Sequence, residues 1–396
     1  MWNRTFIPYK GYWSSPFSRW QGSLQNENAV HLAAATARKF FELGGISPHI
    51  FDGLVFGSTI PQKQWFFAPP QFASLIGNEM ISGPLVAQAC ATSAVSLCFA
   101  ANSIEIGTHQ NVLVATADRC SNCPNILWPN PAGLGGKPEF ESWMVDGFEL
   151  DPVAGVNAVK TGENVAKEFG VTREESDAMA LNRYEKYIDS LANDREFQKR
   201  YMIPLEVRIS KKKTILVEED EGITPCTEEG LIRLKPVIPD GILTFGAQTH
   251  AADGNAGMIV TTKEKADELS VDRGITIQIV SYGCARTKKG HMPAAVTPCA
   301  EMALKSADIK MADLAAVKTH NPFTVNDVVM GKLMNINDKI FNNYGCSLIF
   351  GHPQGPTGMR LIIELIEELV LKGGGYGLFA GCAAGDTAAG LVLKVD

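Results

Sequence analysis

The 396-residue sequence lacks the features that mark several classes of protein. It carries a net charge of −7 and no dense basic segment apart from Lys211-Lys212-Lys213, whereas nucleic acids are bound by basic faces. We therefore exclude nucleic acid as the main ligand and expect the three lysines to lie in a solvated loop. The nine cysteines are odd in number and irregularly spaced, which favours reduced thiols in the cytoplasm over a disulfide framework.

Long apolar runs are also missing. The N-terminal segment MWNRTFIPYKGYW has no continuous apolar core, so we expect no signal peptide. The most apolar helical pattern, Leu361 to Leu371, carries Glu364, Glu367 and Glu368, which argues against a membrane span. With 45% hydrophobic and 20% charged residues, the composition is that of a compact globular protein with room for two or three domains.

The most informative stretch runs from Gly83 to Asp118. A short apolar run leads to Cys90, small residues follow, and a helical pattern closed by Gly107 precedes a second apolar run, Val112 to Ala117. This pattern predicts strand, tight turn, helix and strand, with a cysteine at the turn. A thiol at a helix N-terminus faces the positive end of the helix dipole, so we expect a lowered pKa and a nucleophile. A buried structural cysteine is the alternative.

Helical patterns alternate with apolar strands elsewhere in the chain, which indicates an α/β layered fold. Prolines and glycines interrupt this alternation after Cys120, and Thr172 with Glu175 forms a capping box before a clear helix. The last unit repeats the turn, helix and strand order of the Cys90 unit, which suggests an internal duplication. We predict an N-terminal half from 1–121 and 250–270, an inserted loop domain over 122–249, and a C-terminal half over 271–396.

If the two halves pack with their helix-leading turns together, one cleft receives Cys90, His320, His352 and Cys382. A thiol beside an imidazole is an arrangement for acyl transfer, because the imidazole takes the proton and the thiolate attacks a carbonyl. A second cysteine can act as acid and base, and backbone N–H groups at Cys90 and Ala384 can hold an oxyanion. Taken singly, each residue is equally compatible with ordinary packing.

Together, and in this order, the motifs resemble the thiolase family. They are QACATSA, TGENVAKEFGVTREESDAMA, GAQTHAADGNAG, HNPF, GHPQGPTG and GCAAGDTAAG, and they extend over nearly the whole chain. The resemblance implies the thiolase fold, a duplicated five-layered α-β-α-β-α core with an inserted loop domain, and a homodimer. It also implies CoA and acyl-CoA as substrates, with no metal and no further cofactor.

The resemblance implies a role for each site residue. Cys90 becomes the acyl-accepting nucleophile, His352 its base, and Cys382 the acid and base at the α-carbon. His320 takes the place of an Asn in most thiolases and holds one oxyanion hole through a water with His352; the backbone of Cys90 and Ala384 forms the second. The HNPF motif is similar to that of sterol-carrier-protein-type and archaeal thiolases, which implies a small companion subunit with a zinc ribbon and an OB-fold.

Two positions depart from the family pattern. The Gly-rich CxGGG segment reads CAAGD from Cys382 onward, and Thr249, followed by His250, replaces the serine that contacts CoA pantetheine. We expect Thr249 and His250 to contact CoA. No clear counterpart exists to the arginine that many thiolases place against the CoA adenine.

We hypothesise that the chain cleaves a 3-oxoacyl-CoA with free CoA, reversibly, through an acyl-Cys90 intermediate. The pattern is similar to the catalytic subunits of benzoylsuccinyl-CoA thiolases, which form benzoyl-CoA and succinyl-CoA in anaerobic toluene degradation. The aromatic stretches 65–67 and 143–148 suit an aryl group, and they fit ordinary core or dimer contacts equally well. A short-chain acetyl-CoA C-acetyltransferase, a synthase-type condensing enzyme and a non-catalytic scaffold subunit are the alternatives. We interpret the single Cys120-x-x-Cys123 pair as structural.

Overall fold

The computed structural model describes residues 1–396 and contains fifteen strands and thirteen α-helices. The strands are β1 (Phe6–Ile7), β2 (Tyr12–Ser14), β3 (Ser18–Arg19), β4 (Gly53–Gly57), β5 (Leu85–Val86), β6 (Asn111–Arg119), β7 (Asn125–Trp128), β8 (Glu139–Ser142), β9 (Leu205–Ser210), β10 (Lys213–Val217), β11 (Ala252–Thr261), β12 (Ile277–Arg286), β13 (Leu314–His320), β14 (Gly375–Ala383) and β15 (Thr387–Val395). The helices are α1 (Ala29–Gly44), α2 (Ala68–Leu75), α3 (Thr92–Glu105), α4 (Val145–Glu149), α5 (Ala158–Phe169), α6 (Arg173–Asp189), α7 (Ala192–Lys199), α8 (Glu228–Arg233), α9 (Lys263–Leu269), α10 (Val296–Ala307), α11 (Thr324–Met334), α12 (Ser347–Phe350) and α13 (Gly355–Leu371).

The main sheet consists of two similar halves joined by β1. Its strand order is β13-β14-β15-β12-β1-β11-β6-β4-β5, and the two-residue β1 pairs antiparallel with both β11 and β12. In the first half β4 is parallel to β6, which is antiparallel to β11; in the second, β13 is parallel to β14, which is antiparallel to β15. This repeated strand pattern confirms the predicted duplication.

Five layers follow from how the helices pack. Helices α1 and α2 cover the outer face of the first half-sheet, and α10 covers that of the second, with α11 beside it. Between the half-sheets lie α3 and α13, which contact each other and strands of both halves. The three large hydrophobic clusters fill the corresponding interfaces, with the largest around α3 and α13. The predicted α-β-α-β-α layering is therefore present.

Local sequence signals set several helix ends. The Asn28 side chain accepts hydrogen bonds from two backbone N–H groups at the start of α1, and Gly45 ends this helix in the left-handed conformation. At α6 the Thr172 side chain and Glu175 form the reciprocal capping box that the sequence predicts. Caps of this kind are local, which is why the sequence alone shows them.

Helix α13 carries three glutamates in its sequence, yet it is buried on every side through Leu369. Its glutamates are paired instead of solvated: Glu364 contacts Lys318 and Arg360, each at 3.1 Å. Glu367 likewise accepts hydrogen bonds from the hydroxyl of Tyr12 (2.7 Å) and from an arginine. Helix α13 thus lies in the central layer of the fold.

No helix in the protein combines the length and apolarity needed to cross a bilayer.

Residues 122–249 contain the hairpin β7–β8, helices α4 to α8 and the hairpin β9–β10. Helices α5 and α6 pack against α11, so this segment reaches the loops that follow β13. Lys211 to Lys213 lie exposed at the β9–β10 turn, as expected for a solvated loop. The division into two halves and an inserted domain stays a prediction.

Candidate active site

Cys90 lies in a tight turn between β5 and α3. Ala89 has a left-handed φ of 43°, unusual for a residue with a Cβ, and it turns the chain so that Cys90 immediately precedes the first turn of α3. The Thr92 hydroxyl fixes this turn, since it donates to the Ala89 carbonyl (2.7 Å) and accepts from the Gln88 N–H (2.9 Å). The thiol of Cys90 is buried, with 6% of the residue exposed.

His352 lies in the turn before α13. Gly351 has φ 91°, and a Cβ there would come within 2.7 Å of the His250 ring, so glycine is required. Gln354 also has a positive φ, 57°. The turn is anchored at the start of α13 by the Gly355 N–H, which donates to the buried Asp118 carboxylate at 2.8 Å. Both catalytic candidates therefore precede a central-layer helix, and each turn contains a non-glycine residue in the left-handed region.

The two turns bring Cys90 and His352 into direct contact. The Cys90 Sγ and His352 Nε2 atoms are 3.0 Å apart, and His352 Nδ1 lies 2.6 Å from the Thr357 hydroxyl. With Nδ1–H donating to Thr357, the Nε2 lone pair faces the thiol and can accept its proton. The structure thus brings together the pair predicted for acyl transfer and adds a hydroxyl that orients the imidazole.

The protonation states differ from the expectation of a lowered thiol pKa. Burial raises the pKa of Cys90 to about 12, and backbone hydrogen bonds from Ala384 and Cys90 offset only part of this effect. Burial likewise lowers the pKa of His352 to about 3. Desolvation therefore outweighs the helix dipole, and the resting pair is a neutral thiol and a neutral imidazole. A thiolate at Cys90 therefore requires loss of the thiol proton, and His352 Nε2 is the adjacent atom that can accept it.

His320 stacks on His352, with ring centroids 4.1 Å apart. It ends β13, is fully buried, and has Nδ1 at 2.8 Å from the Ser347 hydroxyl. The Ser347 hydroxyl also lies 3.1 Å from the Asn321 side-chain oxygen, so its single hydrogen has two acceptors and decides which His320 nitrogen is protonated. The other nitrogen, His320 Nε2, has no hydrogen-bond partner. Burial, followed by the neighbouring His352, lowers the pKa of His320 far below its usual value, so this imidazole is neutral.

Cys382 lies at the end of β14, next to the strand end that carries His320. In the parallel pairing of β13 with β14, His320 is opposite Gly381. The Cys382 sulfur accepts a hydrogen bond from Asn326 Nδ2 at 3.2 Å. Burial raises its thiol pKa, and the proximity of Cys90 adds to this shift. Cys382 is therefore a buried neutral thiol near Cys90, and the Asn326 side chain is its polar partner.

A cavity of about 590 Å³ opens onto Cys90 and His352. Thr249 and Ala384 lie in its wall, as expected for a CoA contact and an oxyanion donor, although the Thr249 hydroxyl already donates to the Ser347 carbonyl at 2.5 Å. His250 is not part of the wall; its ring nitrogens lie 3.3 Å from two backbone carbonyls. The predicted contact of His250 with CoA thus has no support from its position.

The two aromatic stretches differ in position. Trp143 and Phe148 line the cavity, and the indole N–H of Trp143 donates to the Thr59 carbonyl at 3.1 Å. Residues 65–67 do not line it: Phe66 and Phe67 are exposed on the surface. Of the two stretches, only residues 143–148 can therefore contact an acyl group in this cavity.

Cys120 and Cys123, which the sequence places in a single C-x-x-C pair, are both free thiols.

Sequence reasoning missed several residues that contact or orient the predicted site residues: Asp118, Asn326, Ser347, Gln354, whose side-chain oxygen accepts from the Cys90 thiol at 3.5 Å, and Thr357. Gln354 and Thr357 belong to the GHPQGPTG motif, whose spacing places a hydroxyl five residues after His352 on the first turn of a helix. Ser347 and Asn326 carried no such signal, because their partners come from distant segments.

Comparisons with known proteins agree with this geometry. The family profile "Thiolase, N-terminal domain" matches residues 13–264, and "Thiolase, C-terminal domain" matches residues 274–395. The acetyl-CoA acetyltransferase of Yarrowia lipolytica is 26% identical over 385 residues, which cover 96% of this chain and 94% of the relative.

Solved structures share the fold along their whole length. The acetyl-CoA acetyltransferase of Bacillus anthracis superposes with a TM-score of 0.91 at 23% identity, covering 100% of this chain and 99% of the other. Human mitochondrial 3-ketoacyl-CoA thiolase in complex with CoA superposes with a TM-score of 0.89 at 22% identity, covering 99% of this chain and 98% of the other. Since the two profiles together match nearly the whole sequence, the chain belongs to the thiolase family of acyltransferases, which take CoA as a substrate and need no additional cofactor.

Proposed function

We propose that this chain cleaves a 3-oxoacyl-CoA with free CoA, and catalyses the reverse condensation, through an acyl group carried on Cys90. The observation that carries the proposal is the 3.0 Å contact between Cys90 Sγ and His352 Nε2, with Nδ1 held by Thr357. A neutral thiol and a neutral imidazole need no separated charge at rest. Proton transfer to His352 accompanies attack of the sulfur on the keto carbon.

The oxyanion formed by this attack meets two sets of donors. The backbone N–H groups of Cys90 and Ala384 face the sulfur, and they form one hole. The second hole uses His352, protonated at Nε2 by the transfer, together with His320 through a water. For this role His320 carries its proton on Nε2 while the Ser347 hydroxyl donates to Nδ1.

Cys382 completes the cycle as the acid and base. When the Cα–Cβ bond breaks, its S–H protonates the departing enolate, and the thiolate that remains takes the proton of incoming CoA. The Asn326 side-chain N–H stabilises this thiolate by a hydrogen bond at 3.2 Å. The CoA thiolate then takes the acyl group from Cys90, and the released Cys90 thiolate takes back the proton held by His352. The CoA complex of a human thiolase with the same fold supports CoA as the acceptor, and Thr249, in the cavity wall, is the residue proposed to contact the pantetheine.

For the acyl group, we infer an aryl-acyl substrate such as benzoylsuccinyl-CoA, giving benzoyl-CoA and succinyl-CoA in anaerobic toluene degradation. The cavity wall favours a bulky apolar group, because Trp143, Phe148, Met292 and Phe323 all belong to it. The wall contains no lysine or arginine, so a substrate carboxylate must lie at the cavity mouth. The relatives named acetyl-CoA acetyltransferase favour a short acyl group as the second candidate.

Peptide mass spectrometry after brief incubation with acetoacetyl-CoA, benzoylsuccinyl-CoA and their acyl-CoA products, without free CoA, tests both candidates. We expect an acyl adduct on Cys90 that added CoA removes, and its mass identifies the group. Cys90→Ser should give no CoA-dischargeable thioester, while Cys284→Ser, which changes an exposed thiol, serves as the matched control. A folded protein that takes no adduct from any donor would contradict the proposal and favour the scaffold alternative.

The fold and the HNPF motif also support proposals about assembly. We propose a cytoplasmic homodimer of the sterol-carrier-protein-like or archaeal-like branch, with the domain division at 122–249 and a small zinc-ribbon and OB-fold companion. Light scattering of the purified chain tests the dimer. Co-purification with the product of a neighbouring gene encoding such a small protein tests the companion.

A further inference from the structure

Beyond its role in acyl transfer, the cluster of Cys90, His320 and His352 has the composition of a metal site. The three residues are buried, and one potential ligand atom from each lies within 4.8 Å of the others. Zn²⁺ binds cysteine sulfur at about 2.3 Å and histidine nitrogen at about 2.0 Å, so a shared tetrahedral ion needs donor atoms roughly 3.3 to 3.5 Å apart. Because the His320 and His352 rings are stacked, with 28° between their planes, one imidazole must rotate for both nitrogens to point at one ion.

A second observation points to a ligand at this place. His320 Nε2 is fully buried and has no hydrogen-bond partner, which ordinarily carries a free-energy cost. The second ring nitrogen of His320, Nδ1, can donate to the Ser347 hydroxyl, which in turn donates to Asn321 Oδ1. In that tautomer the Nε2 lone pair has no hydrogen-bond donor and is free to bind a metal ion.

The surroundings match those of histidine-bound metals. Such histidines donate their second nitrogen to an oriented acceptor, and Ser347 and Thr357 provide these acceptors at 2.8 and 2.6 Å. The Asp118 carboxylate lies close enough to influence the charge of Cys90, so it offsets part of the positive charge of a bound cation. Cys90 and His352 also line the cavity, which leaves the fourth coordination position open to a water.

From these contacts we propose that Cys90, His320 and His352 bind Zn²⁺ reversibly and that the bound ion inhibits acyl transfer. Zn²⁺ forms a bond to the Cys90 sulfur, the S–H bond breaks, and its proton leaves to solvent; no electron is transferred. Metal binding follows from the geometry of the cluster, whereas inhibition rests on the proposed function, because a metal-bound sulfur cannot attack a thioester or keto carbon.

Co²⁺ titration of the full chain under reducing conditions tests binding without an activity assay. We expect about one equivalent to give a sulfur-to-metal charge-transfer band, displaced by Zn²⁺. Cys90→Ala and His320→Ala should lose the band, and Ser347→Ala should weaken binding about 10- to 100-fold. Cys284→Ser, a thiol outside the cluster, should behave as the wild type.

Alkylation of the wild type avoids any folding defect of a variant. Zn²⁺ should protect Cys90 from iodoacetamide in peptide mass spectra, and a chelator should remove the protection. Absence of the band together with equal Cys90 alkylation with and without Zn²⁺ would overturn the inference. If acyl-Cys90 forms but Zn²⁺ does not protect Cys90 from alkylation, the metal-site proposal is wrong and the proposed thiolase function is unaffected. If the charge-transfer band appears but no acyl donor reacts with Cys90, the proposed function is wrong and the metal-site proposal is supported.

Discussion

The contact between Thr357 and His352 gives the sharpest test of the catalytic geometry. Both residues are buried, and the hydroxyl lies 2.6 Å from Nδ1. Thr357→Val keeps the shape of the side chain but leaves the Nδ1–H group without a partner. An unsatisfied buried donor costs about 1 to 3 kcal/mol, and the imidazole can avoid this cost by moving its proton to Nε2. That tautomer cannot accept the Cys90 proton.

Because about 1.4 kcal/mol corresponds to a tenfold change in rate, we expect kcat of Thr357→Val to fall about 10- to 100-fold. KM should change little, since Thr357 is not part of the cavity wall. Thr357→Ser, which keeps the hydroxyl, should restore most of kcat. Steady-state thiolysis assays on the three proteins, with circular dichroism to confirm folding, measure the effect. A folded Thr357→Val enzyme with wild-type kcat would refute the role of this hydrogen bond.

Three further predictions concern Cys382, Ala89 and Asp118. Cys382→Ala should lower the thiolysis rate about 10²- to 10⁴-fold, whereas a synthase-type enzyme would keep most of its condensing rate. Ala89→Gly should raise the free energy of unfolding by about 1 kcal/mol in urea titrations, because it removes a left-handed φ from an alanine; a lower value would contradict this source of strain. Burial raises the pKa of Asp118 from 3.8 to about 6. The contribution of this carboxyl to the free energy of unfolding is therefore greatest below its unfolded pKa, and up to about 3 kcal/mol of it is lost as the pH rises through 6. The difference in unfolding free energy between the wild type and Asp118→Asn should therefore shrink between about pH 4 and 7, and a constant difference would argue against it.

The sequence predicted what depends on short segments. The helix after Cys90, the capping box of Thr172 and the turn before α13 are local patterns, and each is present in the structure. The repeated turn, helix and strand order added the expectation that Cys90 and His352 share one cleft, and the family motifs assigned a role to each.

What the sequence could not predict depends on partners from distant segments. The glutamates of α13 argued against a membrane span, but no neighbouring residue indicated that Glu364 pairs in the interior with Lys318, 46 residues earlier in the chain. The thiol pKa of Cys90 was expected to be low because of the helix dipole, yet burial by both halves dominates. The hydroxyl of Ser347 contacts His320, 27 residues away in the sequence, and no local pattern around either residue predicts this contact.

The short strand β1 has a consequence for how the protein is made. Phe6 and Ile7 emerge from the ribosome among the first residues, but their pairing partners, Thr261 in β11 and residues 277–278 in β12, follow more than 250 residues later. At about 5 to 20 residues per second, the first strand waits at least roughly ten seconds before its site exists. Once β11 has been translated, β2 and β3 pair along its edge and β1 pairs at Thr261, so the only edge that still lacks a partner is the outer side of the two-residue β1. An edge this short offers little for a strand of another nascent chain to pair with, and it therefore protects the first half-sheet until β12 has been translated.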